Sequence, residues 1–415
     1  MSSSLTSSQV RRRHVFYIPG YDPFHPRRYR ELYRTEGRAQ ALVSGYELEL
    51  TPKTTKGPYG WHVSARIDGE QVETDVEVLV WSDIVKDSMR TSVAATYLQL
   101  LRTAWIYISS GALWRLTKLR QGPVIAALYP VVILLGQALV ALAFGAGVAW
   151  SIGSLSDFAS LSVSLVRMLQ IVMAAGAAIA LLMAFKARDN KLFAYYLMHD
   201  YAYSAGGWGQ NPPELEARMA EFAAVIRATV VENAVDEVLV VGHSSGAHLG
   251  VSVLSDVLHE GLPERRPALG FLSLGQVVPM VSFLPGADRL RRDLAALAVQ
   301  TEVPWYDVTA PGDGCAFALC DPVAVTGVAT EDQRWPVVFS AAFTQSLSPA
   351  RWKSLKRRYF RLHFQYLCAF DAPRDYDYFQ ITAGPRTLAA RYRDRRHSRS
   401  RLATPVNRYT TVARR

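Results

Sequence analysis

The pentapeptide Gly242-His243-Ser244-Ser245-Gly246 sets a serine hydroxyl between two glycines. A hydroxyl attacks a carbonyl efficiently only if a base removes its proton and fixed N–H donors receive the oxyanion. The residues on either side fit that demand. Glu237-Val238-Leu239-Val240-Val241 reads as a short buried strand, and Ala247, Leu249, Val253, Leu254 and Val257 recur like one face of a helix. Strand, sharp turn, serine, helix is the setting of a nucleophile elbow. Gly242 and Gly246 keep side chains out of the turn, and the first N–H groups of the following helix face any oxyanion formed at Ser244. Ser245 is a rival nucleophile, but the geometry of the motif favours its middle residue. The plain alternative is a β-to-α turn whose serines only cap a helix.

Such a turn must be held by a sheet, and the chain supplies strands on both sides of it. His14 to Ile18 reads as a buried strand ending in the turn Pro19-Gly20-Tyr21-Asp22. Tyr46 to Leu50 and Trp61 to Ile67 alternate as antiparallel edge strands do, and Asp75 to Trp81 is a further strand. Asn211-Pro212-Pro213-Glu214 opens a helix carrying Leu215, Met219, Phe222, Ile226 and Val230 at helical spacing. Beyond the elbow, Leu269 to Leu274, Val303 to Val308 and Pro336 to Phe343 are strand-like. Strands alternating with helices predict an α/β fold with a mostly parallel sheet.

With the elbow and the Ile18-Pro19-Gly20-Tyr21 turn in view, the chain resembles the α/β-hydrolase superfamily, lipase- and esterase-like members included, over roughly residues 14–85 and 210–370. The resemblance implies that an acid and then a histidine follow the serine. The acid is expected on the loop after the second strand beyond the nucleophile, here Val308 to Gly314, which points to Asp313. Asp307 lies inside the preceding strand and Asp321 precedes Pro322, so both fit less well. After Ser244 the histidines are His248, His259, His363 and His397. The first two lie too close to the elbow and the last sits in an Arg-rich tail, leaving His363 as the base, although Pro349 to Tyr366 reads as helix and not as loop. The implied oxyanion donors are the N–H of Ser245 and one from Gly20 or Tyr21.

A second feature interrupts this domain. From Gln121 to Ser156 no residue is charged, and a second apolar run extends from Met168 to Phe185, reaching back past Arg167. About 20 apolar residues suffice to cross a bilayer, so two spans are expected, near residues 124–150 and 162–185. Arg115, Lys118 and Arg120 precede them, Lys186, Arg188 and Lys191 follow, and the connecting loop from Ser151 to Ser164 has no Lys or Arg. The positive-inside rule places both flanks in the cytoplasm. Small residues from Ala174 to Ala178 suit close helix packing.

The sequence of 415 residues carries a net charge of +10, which favours an anionic partner. Anionic lipid, met by Arg391, Arg393, Arg395, Arg396, Arg399 and Arg401 together with Arg11 to Arg13, is a simpler partner than nucleic acid. Three cysteines (Cys315, Cys320 and Cys368) form no even disulfide framework and no zinc motif, so no metal or other cofactor is expected. The N-terminus lacks the apolar stretch of a secretory signal. The expected organisation is a disordered N-terminus (1–13), hydrolase segments 14–120 and 188–385 around a transmembrane hairpin (121–187), and a disordered Arg-rich tail (386–415). The expected function is a membrane-anchored serine hydrolase of acyl esters, lipids among them, facing the cytoplasm. A thioesterase or acyltransferase with the same triad, or a non-catalytic membrane scaffold, are the alternatives.

Overall fold

An eight-stranded sheet in the order β2-β3-β4-β1-β5-β6-β7-β8 organises the computed structural model, which describes residues 8–156 and 162–412. The strands are β1 (Arg12–Ile18), β2 (Glu47–Pro52), β3 (Gly60–Ile67), β4 (Glu70–Val78), β5 (Glu237–His243), β6 (Ala268–Leu274), β7 (Trp305–Thr309) and β8 (Val337–Ser340). From β4 to β8 every neighbouring pair is parallel, whereas β2–β3 and β3–β4 are antiparallel. Every residue of β5 is buried, as a central parallel strand covered on both faces must be. β3 alternates buried and half-exposed positions, which suits its place near an edge.

The chain divides into two compact units. The first, Met1–Asp87, Tyr107–Val124 and Ala205–Arg415, holds the sheet. On one face Tyr17, Val241 and Leu274 share a buried cluster with Tyr29 and Tyr33 of the helix Arg27–Ser44 and with Phe379. On the other, the helix Ser245–His259 lies against Phe271 and packs between the helices Pro213–Glu232 and Asp288–Ala298.

Both basic ends depart from expectation. Residues 1–7 and 413–415 lie outside the described residues, but Arg12 and Arg13 belong to β1. Arg13 is buried, pairing with Glu237 at 2.6 Å and donating to the carbonyls of Gly384 and Arg386. The Arg-rich tail is laid on the sheet unit through residue 412. Arg395 meets Asp375 at 2.9 Å, Arg401 meets Asp321 at 2.5 Å, and Arg391 donates to Gln380. The physical reason is the exposed edge of β8. Val338 donates its N–H to His397 Nδ1 and accepts from the Ser398 N–H, so the tail satisfies backbone groups that an edge strand leaves open.

The second unit, Ser88–Ile106 and Ile125–Ser204, is helical and larger than the hairpin expected from sequence. Of its two long helices, Gln121–Ser156 extends beyond the expected span at both ends and Val163–Ala187 runs two residues past it at its C-terminal end, and residues 157–161 between them lie outside the described residues. Both are long and apolar enough to cross a membrane. They run antiparallel, Gln170 donating to the Ala149 carbonyl at 3.0 Å while Gly145 abuts the Ala174 carbonyl. Segments assigned from sequence to the hydrolase domain join them. Leu100 of the helix Val93–Ser109 and Ala194, Tyr195 and Met198 of the helix Ala194–Ala205 form a buried cluster around Leu134. The second long helix buries no residue at all. That is the reverse of a core helix in a water-soluble protein.

Candidate active site

Ser244 stands between β5 and the helix Ser245–His259 with φ 57° and ψ −122°, a backbone conformation that non-glycine residues rarely adopt. Two contacts hold the turn. The Ser244 N–H donates to the Leu274 carbonyl of β6 at 2.9 Å. Gly246 lies so close to β1 that a Cβ there would fall 2.0 Å from the Ile18 carbonyl oxygen. Only glycine permits that approach, which brings the helix N-terminus over the end of β1.

The loop after β1 reaches the same point. A Cβ on Gly20 would come within 2.9 Å of Ser244 Cβ and 3.4 Å of its Oγ. Trp81 Nε1 donates to the Pro19 carbonyl, and Asp22 accepts from Tyr29 and Arg28, so this loop is fixed at both ends. After β1 the chain turns toward β2–β4, and after β5 it turns toward β6–β8. The serine therefore lies at the carboxyl end of the sheet where the winding reverses, the place where open α/β sheets form a crevice. Gly20 and buried Tyr21 are thus beside Ser244, as is the first-turn N–H of Ser245, which has no acceptor within its own helix.

Asp313 and His363 come together at the carboxyl ends of the later strands. Asp313 follows β7 in a tight turn, its N–H bonded to the Ala310 carbonyl. Its Oδ1 accepts from the Cys315 N–H at 2.9 Å, and its Oδ2 accepts from His363 Nδ1 at 2.7 Å and from the Tyr366 hydroxyl at 3.0 Å. Burial alone would raise the pKa of this carboxyl, but His363 and these donors hold it below the ordinary carboxylate range. An ionised Asp313 receiving Nδ1–H leaves the lone pair on His363 Nε2. That atom is buried and makes no hydrogen bond. The ring lies beside Gly275, the residue after the carbonyl that binds the Ser244 N–H. The structure thus forms the Asp–His link and places both groups around the elbow. The Ser244–His363 hydrogen bond is not made. His363 ends the short helix Tyr359–His363, in keeping with the helical reading of that segment.

Three of the rival residues have other partners, and His248 is buried. Asp307, inside β7, accepts from Ser273 Oγ at 2.6 Å. Asp321 caps the helix Pro322–Thr326 and binds Gln333 and Arg401. His248 is buried in the helix after the elbow, its pKa pushed by burial to about 4. His397 is engaged at the edge of β8.

Two residues have roles at this site that sequence reasoning did not assign. Tyr366 accepts from the Ala310 N–H at 2.9 Å while donating to Asp313, tying the end of β7 to the acid. Its only sequence signal is its place three residues after His363. His243, read only as part of the elbow, donates Nε2–H to the His363 carbonyl at 3.0 Å. Burial and the nearby His363 push its pKa down to about 3, so it donates from the neutral ring. Asp313, Cys315 and His363 are also the described residues whose ligand atoms lie close enough to hold a metal ion, all within 4.8 Å. The Asp313 and His363 atoms in that group are already bonded to each other. Compared with known protein families, curated proteins and solved structures, the chain matches none of them.

Proposed function

We propose that this protein is a membrane-anchored serine hydrolase of α/β-hydrolase type that cleaves acyl esters, lipid esters among them. The observation that carries the reading is the Asp313–His363 pair, whose outer nitrogen is buried and unbonded beside a serine held at positive φ. The succession of serine after β5, acid after β7 and histidine after β8 supports the fold assignment. Ser244 Oγ attacks the ester carbonyl while His363 Nε2 takes its proton. Asp313 holds the imidazole in its tautomer and stabilises the imidazolium. The oxyanion accepts from the Ser245 N–H and from an N–H of Gly20 or Tyr21, each such donor worth about 3–4 kcal/mol of barrier. His363 then gives the proton to the leaving alcohol, and water repeats the sequence on the acyl-enzyme.

Two antiparallel helices with exposed apolar surfaces support the anchor. Met168 to Phe185, between Arg167 and Lys186, spans about 27 Å at 1.5 Å per residue, close to the thickness of a hydrocarbon core. Both flanks then lie on one side, the cytoplasmic one by their positive charge.

A fluorophosphonate probe applied to the membrane-embedded protein tests the chemistry. Wild type should label, and both Ser244→Ala and His363→Ala should abolish labelling. Absence of labelling in folded wild type rejects the enzyme, and normal labelling of His363→Ala rejects the triad.

A further inference from the structure

The helix Val93–Ser109 carries an exposed apolar edge. Ala94, Leu98, Leu101, Trp105 and Ile108 follow one another at steps of four and three, which aligns them along one side of a helix. Leu98, Leu101 and Trp105 are each about two-thirds exposed, at 67%, 65% and 66%. The opposite side is occupied by the bundle. Thr96, Leu100 and Thr103 are buried, Leu100 packs into the cluster around Leu134, and Tyr97 donates to the Leu134 carbonyl at 2.8 Å.

Two observations identify what covers the exposed face. The first is continuity. The long helix against which Tyr97 packs exposes its own edge of Ile125, Leu128, Val132 and Leu135, an apolar surface that runs on into the first span. The start of the Val93–Ser109 helix is also tied to the end of the second span, because Lys186 donates to the Thr91 carbonyl. Lys186 is the cation that closes the apolar run of that span, so the helix begins at the level where hydrocarbon gives way to headgroups. The second is charge. From Ser88 to Ile106 there is no Asp or Glu, while Arg90 and Arg102 are basic. A helix with an apolar edge and only cationic charge of its own fits an anionic bilayer surface.

We propose that Val93–Ser109 is a third membrane-contacting helix, seated in the interface of an anionic bilayer with the Leu98–Leu101–Trp105–Ile108 edge in lipid. The inference rests on the reading of the two long helices as spans, and its test separates the two. The full chain is reconstituted in vesicles of phosphatidylcholine and phosphatidylglycerol whose acyl chains carry bromine, which quenches tryptophan on contact. The contribution of Trp105 is taken as wild type minus Trp105→Phe. That of Trp150, 75% exposed on the first span, is taken as wild type minus Trp150→Phe. Both should be quenched, Trp105 by at least half as much as Trp150, and more by brominated phosphatidylglycerol than by equal brominated phosphatidylcholine. In Leu98→Gln/Leu101→Gln the Trp105 quenching should fall at least twofold while that of Trp150 persists. Unquenched Trp150 overturns the spans themselves. Quenched Trp150 with unquenched Trp105 overturns this proposal alone, as does Trp105 that becomes quenched only on dilution to one copy per vesicle, which assigns the edge to a second copy of the chain. Equal quenching by the two lipids overturns the anionic preference.

Discussion

Two buried aspartates on one strand and its following loop are treated in opposite ways. Asp307, within β7, and Asp313, on the loop beyond its end, are both removed from water. Asp307 has one donor, the Ser273 hydroxyl, its Oδ2 has no partner, and burial pushes its pKa up to about 8. Asp313 suffers the same desolvation, but a backbone N–H, a tyrosine hydroxyl and the His363 ring hold its carboxyl below the ordinary range. Burial alone therefore does not decide whether a carboxylate is charged. The donors around it decide whether it carries charge, and only the loop beyond the sheet has free N–H groups and incoming side chains to supply them.

The largest effect that tests this contrast is at the charged member. Asp313→Asn keeps shape but removes the charge and presents His363 with the wrong partner for its tautomer. Turnover should fall by about 10⁴-fold, the scale of the corresponding change in a serine protease triad. Stability carries a second signature. A carboxyl whose pKa is depressed on folding binds fewer protons folded than unfolded, so it contributes stability above its unfolded pKa that is lost as pH falls through the folded one. Melting curves should show wild type losing part of its advantage over Asp313→Asn only at acid pH, below about 4. Activity within tenfold of wild type would remove Asp313 from the triad.

The elbow was legible because everything that defines it is local. The apolar run of β5, Gly242, Ser244 and Gly246 fall within ten consecutive residues. The mostly parallel sheet was legible for the same reason, strand by strand, as were the two long apolar helices. What sequence missed depends on pairings distant in the chain. Tyr366 meets Ala310 and Asp313 across more than fifty positions. Arg13 is satisfied by Glu237 and by carbonyls near residue 385, so a run that looks like a solvated basic end is partly core. The tail was read as disordered because arginine-rich composition resembles a solvated segment. Its partners, Asp321, Asp375 and the open edge of β8, are scattered along the chain. The helical unit was drawn too small because Val93–Ser109 and Ala194–Ala205 are mixed in composition, and only packing around Leu134 assigns them to it.

The neutral aspartate supplies the next prediction, with the opposite sign. Asp307 binds its proton more tightly folded than unfolded, so folding is penalised increasingly as pH rises from about 4 towards 8. Asp307→Asn keeps an acceptor for Ser273 and cannot ionise. It should match wild type at about pH 4 or below and exceed it in melting temperature at pH 9, by a few kcal/mol in stability. Catalysis should be unchanged at both pH values. A variant less stable than wild type at pH 9 would mean that Asp307 is charged in the native state and that the contrast with Asp313 is false.

Tyr366→Phe gives the smallest effect and locates where the contrast is built. Removing the hydroxyl takes one donor from Asp313 and leaves the Ala310 N–H buried without its acceptor. The second loss costs about 1–3 kcal/mol of stability and would follow from any structural tyrosine. The first is specific. With one fewer donor, the Asp313 charge is less well held and its pKa rises towards the ordinary carboxylate value. Turnover should drop roughly tenfold with KM unchanged, the weight of one hydrogen bond to a charged group. A lower melting temperature with unchanged turnover would make Tyr366 a packing residue only. The ionised state of Asp313 would then rest on His363 and the Cys315 N–H alone.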